Sequence, residues 1–263
     1  MASDCRDVRW RCFSGRRPAR RPLQSFRHLS PRESRYLVTA TLRLPTLCSL
    51  ISPHNKMSSL LQIIDLHDPV EFDELLHQRD LCGWDKMASD IEAWRTAMDA
   101  GTRAMFWIVP PSLAHLPLPD RCAGHIALVS EMSPPNEELA RPDKSILYIS
   151  SLFIRPEHRG GLGRKAVQAL ESWAKIPPYG SPHCEAITLT ALDRRYTEDD
   201  SEEWGGVWAR FGQQAPKKGS STEDWYARMG YVKWKSQPMF DEQFLDGTKI
   251  KLVAAFLRKT LRE

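Results

Sequence analysis

The stretch Ile146–Trp173 constrains this chain most, because it reads as a strand, a tight glycine turn and a helix. Ile146 to Ile154 is dense in β-branched and aromatic residues, which suit a buried or half-buried strand. Pro156 has no N–H for a sheet ladder and stops it. Gly160, Gly161 and Gly163 then let the backbone approach something bulky. From Arg164 the apolar residues Ala166, Leu170, Trp173 and Ala174 recur at helical spacing until Pro177 ends the pattern. The first turn of a helix has free N–H groups and about half a positive charge from its aligned peptide dipoles. Arg159, Arg164 and Lys165 add charge at the same end. The chemistry predicted is anion binding, with a pyrophosphate as a good fit. The plainer reading is a structural turn.

Two later segments belong with it. Glu185 to Leu192 is a strand, in which Ala186, Thr188 and Thr190 alternate with Ile187, Leu189 and Ala191. Ser221-Thr-Glu-Asp224 caps a short helix that runs into Trp225-Tyr226-Ala227-Arg228-Met229-Gly230-Tyr231.

The run Leu152-x-Ile154-x-Pro156-x-x-Arg159-Gly160-Gly161-x-Gly163 resembles the acetyl-CoA-binding motif of the GCN5-related N-acetyltransferase (GNAT) superfamily. Tyr226-x-x-x-Gly230-Tyr231 is similar to that family's Tyr-x-x-x-Gly-Phe segment, and the two motifs stand in the family's order. The glycine turn sits on the family's (Arg or Gln)-x-x-Gly-x-(Gly or Ala) pattern in two ways. Aligned on Pro156 and Arg159 it is one residue short; aligned on Gly161 and Gly163, His158 takes the Arg or Gln place. The Asn frequent seven residues before the family's tyrosine is Gly219 here.

The resemblance covers residues 57–263 and implies an α/β (α+β) fold: a mixed, mainly antiparallel central sheet of about seven strands, flanked by helices, with splayed central strands. It implies that CoA pantetheine lies in the resulting slot against the backbone of Leu152, Phe153 and Ile154. The pyrophosphate would rest on Arg159, Gly160, Gly161, Leu162, Gly163 and Arg164. Tyr226 would point at the CoA sulfur as general acid; its plainer role is a tyrosine packed at a helix end. The implied activity is direct transfer of acetyl from acetyl-CoA, as cosubstrate and without a metal, to a primary amine in a ternary complex. A degenerate acyl-CoA-binding module without transferase activity is the alternative. For the base, Ile146 to Ile154 offers no carboxylate, so Glu185, a residue of the acidic loop and a water chain stay open.

Charge divides the chain. Residues 1–56 hold 11 Arg and 1 Lys against Asp4, Asp7 and Glu33, while 57–263 keep 25 of the 37 basic and 30 of the 33 acidic residues. The basicity belongs to the extension, so the domain is not expected to bind nucleic acid. Its acidic balance weakly favours a small cationic amine as acceptor. The extension is expected to be disordered: a presequence, a nucleic-acid or nuclear-targeting arm, or sequence upstream of a natural start at Met57, the reading favoured here. No apolar run spans a membrane. Six cysteines without a Cys-x-x-Cys pair point to a reduced compartment, expected to be the cytoplasm unless a real extension directs the chain to nucleus or mitochondrion.

The remaining elements read in order. Leu60 to Leu66 is a short strand. Asp68-Pro-Val-Glu71 and Ser89-Asp-Ile-Glu92 are capping-box helix starts, the second helix ending at Gly101; the resemblance sets these helices beside the acceptor pocket. Ala104–Val109 and Gly124–Val129 form a hairpin-like pair, and Asn136–Asp143 is a polar loop. Residues 193–221 form a long connection whose acidic run, Glu198 to Glu203, beside Trp204, Trp208 and Phe211 suits a cationic amine or, more simply, a solvated face. Tyr231–Met239 and Lys249–Leu257 are closing strands around Gly247.

Overall fold

The computed structural model describes residues 60–261; the extension 1–56, and every expectation attached to it, lies outside the described residues. Seven strands form one sheet: β1 (Leu61–Ile63), β2 (Arg103–Ile108), β3 (Gly124–Val129), β4 (Ile146–Ile154), β5 (Ala186–Leu192), β6 (Val232–Gln243) and β7 (Lys249–Thr260). Their order is β1-β2-β3-β4-β5-β7-β6. All neighbours run antiparallel except β4 and β5, which are parallel. The seven-stranded, mainly antiparallel sheet is the fold that the resemblance implies.

Each face of the sheet has its own helices, and the alternation of strand residues decides which side chains meet them. Helix α3 (Leu162–Trp173) and the short α6 (Thr222–Ala227) cover one face. There Phe106, Ile108, Ile126, Leu147, Ile149, Ile187 and Leu189 pack with Ala166, Val167, Leu170 and Tyr226. A fully buried Val or Leu contributes about 1.5–3 kcal/mol, so Val167 and Leu170, both at 0% exposure, fix α3 firmly to the sheet.

Helices α1 (Pro69–Cys82) and α2 (Ala88–Asp99) cover the other face, around Leu75, Ile91, Met105, Trp107 and Ala127. Asp68 caps α1 by accepting the Val70 N–H at 2.8 Å. The predicted box does not close, because Glu71 accepts instead from the Asp65 N–H at 3.0 Å and from Trp107 Nε1 at 2.8 Å. The N-cap of helix α2 lies two residues before the predicted Ser89: it is Met87, whose N–H is accepted by Asp90 at 2.9 Å, in the part foreseen for Glu92. Gly101 follows the C-cap at φ +71°, a left-handed conformation that glycine adopts without penalty.

The long connection contains two single-turn helices, α4 (Arg195–Glu198) and α5 (Val207–Arg210). Its acidic run proves to be a largely exposed, self-satisfied face. Asp199 accepts the Ser201 N–H at 2.8 Å, Glu198 accepts the Gly219 N–H at 2.6 Å, and Asp200 pairs with Lys218 at 2.5 Å.

Candidate active site

The central feature is where β4 and β5 part. They pair only through Ile146–Ala186, Leu147–Ile187 and Tyr148–Thr188. Beyond that point β4 keeps β3 as its neighbour and β5 keeps β7. Parallel strands that lose their ladder in mid-course leave backbone N–H and C=O groups facing a slot. One side-chain bond spans it near the apex: the Tyr148 and Thr190 hydroxyls lie 2.7 Å apart.

β4 is bulged within the slot. The register on β3 advances from His125 to Ala127 while β4 moves from Phe153 to Ser150, and Ser151 has φ +54°, rare for a residue with a Cβ. The extra residue re-aims the backbone that follows. The Phe153 carbonyl lies on the β3 side, only 2.1 Å from where a Cβ on Gly124 would stand. Both polar groups of a strand residue point the same way. The Phe153 carbonyl is therefore directed at β3, while Leu152 sits unpaired in the bulge.

After β4 the chain makes one 3-10 turn, Pro156–His158, and enters α3 through Arg159, Gly160 and Gly161. Gly160 has φ +111° and Gly161 φ +92°, and a Cβ on either would meet nothing within 4 Å, so both glycines serve the backbone path and the open space before it. The helix starts at Leu162 rather than Arg164. Gly163 thus lies in its first turn, packed on Ile154 and Trp225. The first backbone bond donated into the helix is Lys165 N–H to the Gly161 carbonyl at 3.2 Å. The N–H groups of Gly160, Gly161, Leu162, Gly163 and Arg164 donate to no acceptor among the described residues. Arg159, Arg164 and Lys165 are exposed around them. These bare amides at the positive end of a twelve-residue helix fit a diphosphate.

Tyr226 is buried on the α3 face of the sheet, edge-on to Trp225 and Tyr231 at centroid distances of 4.7 and 5.5 Å. Its hydroxyl has no hydrogen-bond partner among the described residues. Burial, with a smaller contribution from Tyr148, raises its pKa well above the usual phenol value, so it stays protonated through the physiological range. Glu185 lies at the closed end of the β4–β5 pair, its N–H bonded to the Ser145 carbonyl at 2.9 Å. That end is remote from the slot, which removes Glu185 as a base.

On the α1 face a polar chain joins the foot of the glycine turn to the α1–α2 loop. Arg155 pairs with Glu74, and Glu74 accepts from Gln78 Nε2 at 2.7 Å. His125 Nδ1 bonds Gln78 Oε1 at 2.9 Å. Arg79 reaches His125 Nε2 at 3.4 Å, the Trp84 carbonyl at 2.9 Å and Asp85 at 3.1 Å. Arginine only donates, so Nε2 accepts and Nδ1 carries the proton. Burial first, then the charges of Arg79 and Arg103, hold His125 well below the ordinary histidine pKa, as the neutral form. Sequence reading missed this chain and the bulge alike; a lone His in an apolar strand was the one signal.

A groove of about 840 Å³, lined by Gln168, Glu171, Lys175, Trp234 and Lys259, is separate from the slot and borders the closed end. Its Glu171 already binds Tyr231 and Lys259. Among the described residues no group of three or more His, Cys, Asp or Glu is placed to hold a metal, and no helix is long and apolar enough to cross a membrane.

A parted parallel pair thus opens beside a helix start whose amides have no acceptor among the described residues. Residues 75–194 match the family described as the acetyltransferase (GNAT) family. Similar solved structures include an aminoglycoside 6'-N-acetyltransferase complexed with coenzyme A, at 17% identity over 77% of this chain and 97% of that one, TM-score 0.49. An aminoglycoside 6'-N-acetyltransferase from Enterococcus faecium is 16% identical over 77% and 97%, TM-score 0.49. Arabidopsis thaliana NAA60 in complex with acetyl-CoA is 13% identical over 76% and 97%, TM-score 0.47. No curated protein matches the chain.

Proposed function

We propose that the domain from residue 57 onward is an acetyl-CoA-dependent N-acetyltransferase that moves acetyl to a primary amine by direct attack in a ternary complex. One observation carries the reading: the slot between β4 and β5 opens beside amides with no protein partner. Acetyl-CoA supplies a thioester already activated toward amines. Leu152 and Ile154 would pair with the extended arm as a strand does. The N–H groups from Gly160 to Arg164, with the Arg159 and Arg164 side chains, would hold the diphosphate. Holding two reactants in register is worth about 7–11 kcal/mol of barrier. A backbone N–H of β4 near the bulge would steady the developing oxyanion. As the C–N bond forms and the C–S bond breaks, Tyr226 would give its proton to the sulfur, an effect of roughly 10²–10⁴-fold. Solvent or a water chain would take the proton the amine releases. The acidic surface favours a small amine that arrives as a cation, and the thiols of Cys82, Cys122 and Cys184, all free, suit the cytoplasm.

The test is calorimetric titration of the full chain with acetyl-CoA, followed by an amine panel with CoA thiol release as readout. Saturable binding and amine-dependent release are expected. Binding without release to any amine favours the binding-module alternative, and absence of binding overturns the reading.

A further inference from the structure

Arg103 opens β2 and alternates with Ala104, Phe106 and Ile108, which face α3, so its side chain lies on the opposite face with Met105 and Trp107. From there it reaches past β3 to the open part of β4. Its Nη2 donates to Ser151 Oγ, the bulge residue, at 2.8 Å and approaches Ser150 Oγ at 3.5 Å. Its guanidinium carbon stands 4.3 Å over the Trp94 ring. The Nε atom is buried without a partner. No carboxylate among the described residues lies within ion-pair distance of Arg103; Asp85, near enough to act on it electrostatically, is bonded at 3.1 Å to Arg79 instead.

Arg103 is therefore an under-compensated cation. Burial, with the like charge of Arg79 added and Asp85 opposing, pushes its pKa down to about 9, and at neutral pH it keeps its charge. Such a group is costly to hold without an anion and has donor capacity to spare. The α1–α2 loop and β6 meet through Trp84 and Phe240 at 5.8 Å, and Phe240, Met239 and Tyr148, whose charge acts on Arg103, share one apolar cluster.

We propose that the acceptor amine also carries a carboxylate and that Arg103 receives it, which makes the acceptor an amino carboxylate rather than a simple amine or a polyamine. The inference rests on the acetyltransferase reading and names the acceptor class of that site. Because Arg103 is tied to the bulge of β4, the anion it holds lies beside the strand against which the thioester arm is placed. The carboxylate must then be close to the amine, as in a free amino acid. A guanidinium fork suits this planar, two-oxygen group better than an ammonium does. The acidic surface of the domain governs approach of the ligand; Arg103 sets the sign inside.

The test compares free amino acids with the corresponding amino-acid amides as acetyl acceptors for the full chain. An amide has the less basic amine and reacts faster if nothing recognises the carboxylate, so preference for the acid is a stringent outcome. At least about a tenfold higher kcat/KM for the acid is expected, on the scale of a buried charge-assisted contact. Arg103→Gln should raise KM for the acid by roughly ten- to hundredfold and leave KM for the amide and the affinity for acetyl-CoA unchanged; Arg103→Lys should recover part of the loss. Equal or better use of amides by the wild type overturns the inference, whether or not the variants fold. So does an Arg103→Gln that lowers kcat equally for both members of each pair, which would make Arg103 an oxyanion donor. Either result leaves transfer from acetyl-CoA intact, whereas failure to bind acetyl-CoA removes the reading beneath it.

Discussion

Replacing Gly161 by Asp separates what its backbone needs from what a ligand needs. With φ +92° and ψ −4°, the position costs a residue bearing a Cβ about 1–2 kcal/mol. A Cβ there meets no protein atom within 4 Å, so no steric penalty inside the fold is added. The new carboxylate would stand at the mouth of the bare amides. At about 5 Å from one phosphate charge and an effective dielectric of about 20, Coulomb repulsion is roughly 3 kcal/mol. Exposure and salt at this turn reduce it to about 2 kcal/mol, or roughly thirtyfold in affinity. Gly247, in the β6–β7 turn at φ +86°, is the control, because Gly247→Asp carries the same backbone strain away from the slot. Urea midpoints and calorimetric titration with CoA should show similar stability losses in both variants and a weakened affinity in Gly161→Asp alone. Equal CoA affinity in wild type and Gly161→Asp, or equal weakening in both variants, refutes the placement of the diphosphate.

Three further outcomes are expected. Tyr226→Phe should lower kcat by roughly 10²-fold or more with little change in acetyl-CoA affinity; unchanged turnover removes the hydroxyl from the chemistry. Gly124→Ala should destabilise by about 1–3 kcal/mol or more, since its Cβ would stand 2.1 Å from the Phe153 carbonyl and must force β3 and β4 apart; a urea midpoint within error of wild type contradicts that close approach. His125 is held neutral with a depressed pKa, so its stabilising effect is full above the unfolded value of about 6.5 and is lost as pH falls below it. Wild-type stability should therefore drop by up to about 1.4 kcal/mol per pH unit below pH 6.5 from this group, and His125→Gln should flatten that slope in urea melts.

What was legible in the sequence was whatever depended on local pattern. β4 ends where it was predicted to end, because Ile154 precedes a residue pair that Pro156 closes. α6 begins at its predicted cap, where Ser221 Oγ accepts the Asp224 N–H at 3.0 Å. Other boundaries moved for tertiary reasons: Glu71 left its box for Trp107, and α3 gained its first two residues because Gly161 could turn the chain at positive φ. The glycine turn leads straight into α3, with Gly161 at its N-cap, whereas the bulge at Ser151 was not legible, because no side-chain pattern announces a non-glycine bulge. Glu185 passed as a base while its strand had no known direction; the parallel register puts it at the closed end. Arg103, Tyr148 and Thr190 were invisible as a group because they come from three strands and meet only through sheet order.

The most direct test is amide hydrogen exchange on the full chain with and without acetyl-CoA. Binding as described should slow exchange at Gly160 through Arg164 and at Leu152 and Ile154, while the already paired amides of β2 and β7 change little. Protection confined to the groove beside Trp234 and Lys259, or none at the glycine turn while calorimetry reports binding, would contradict it.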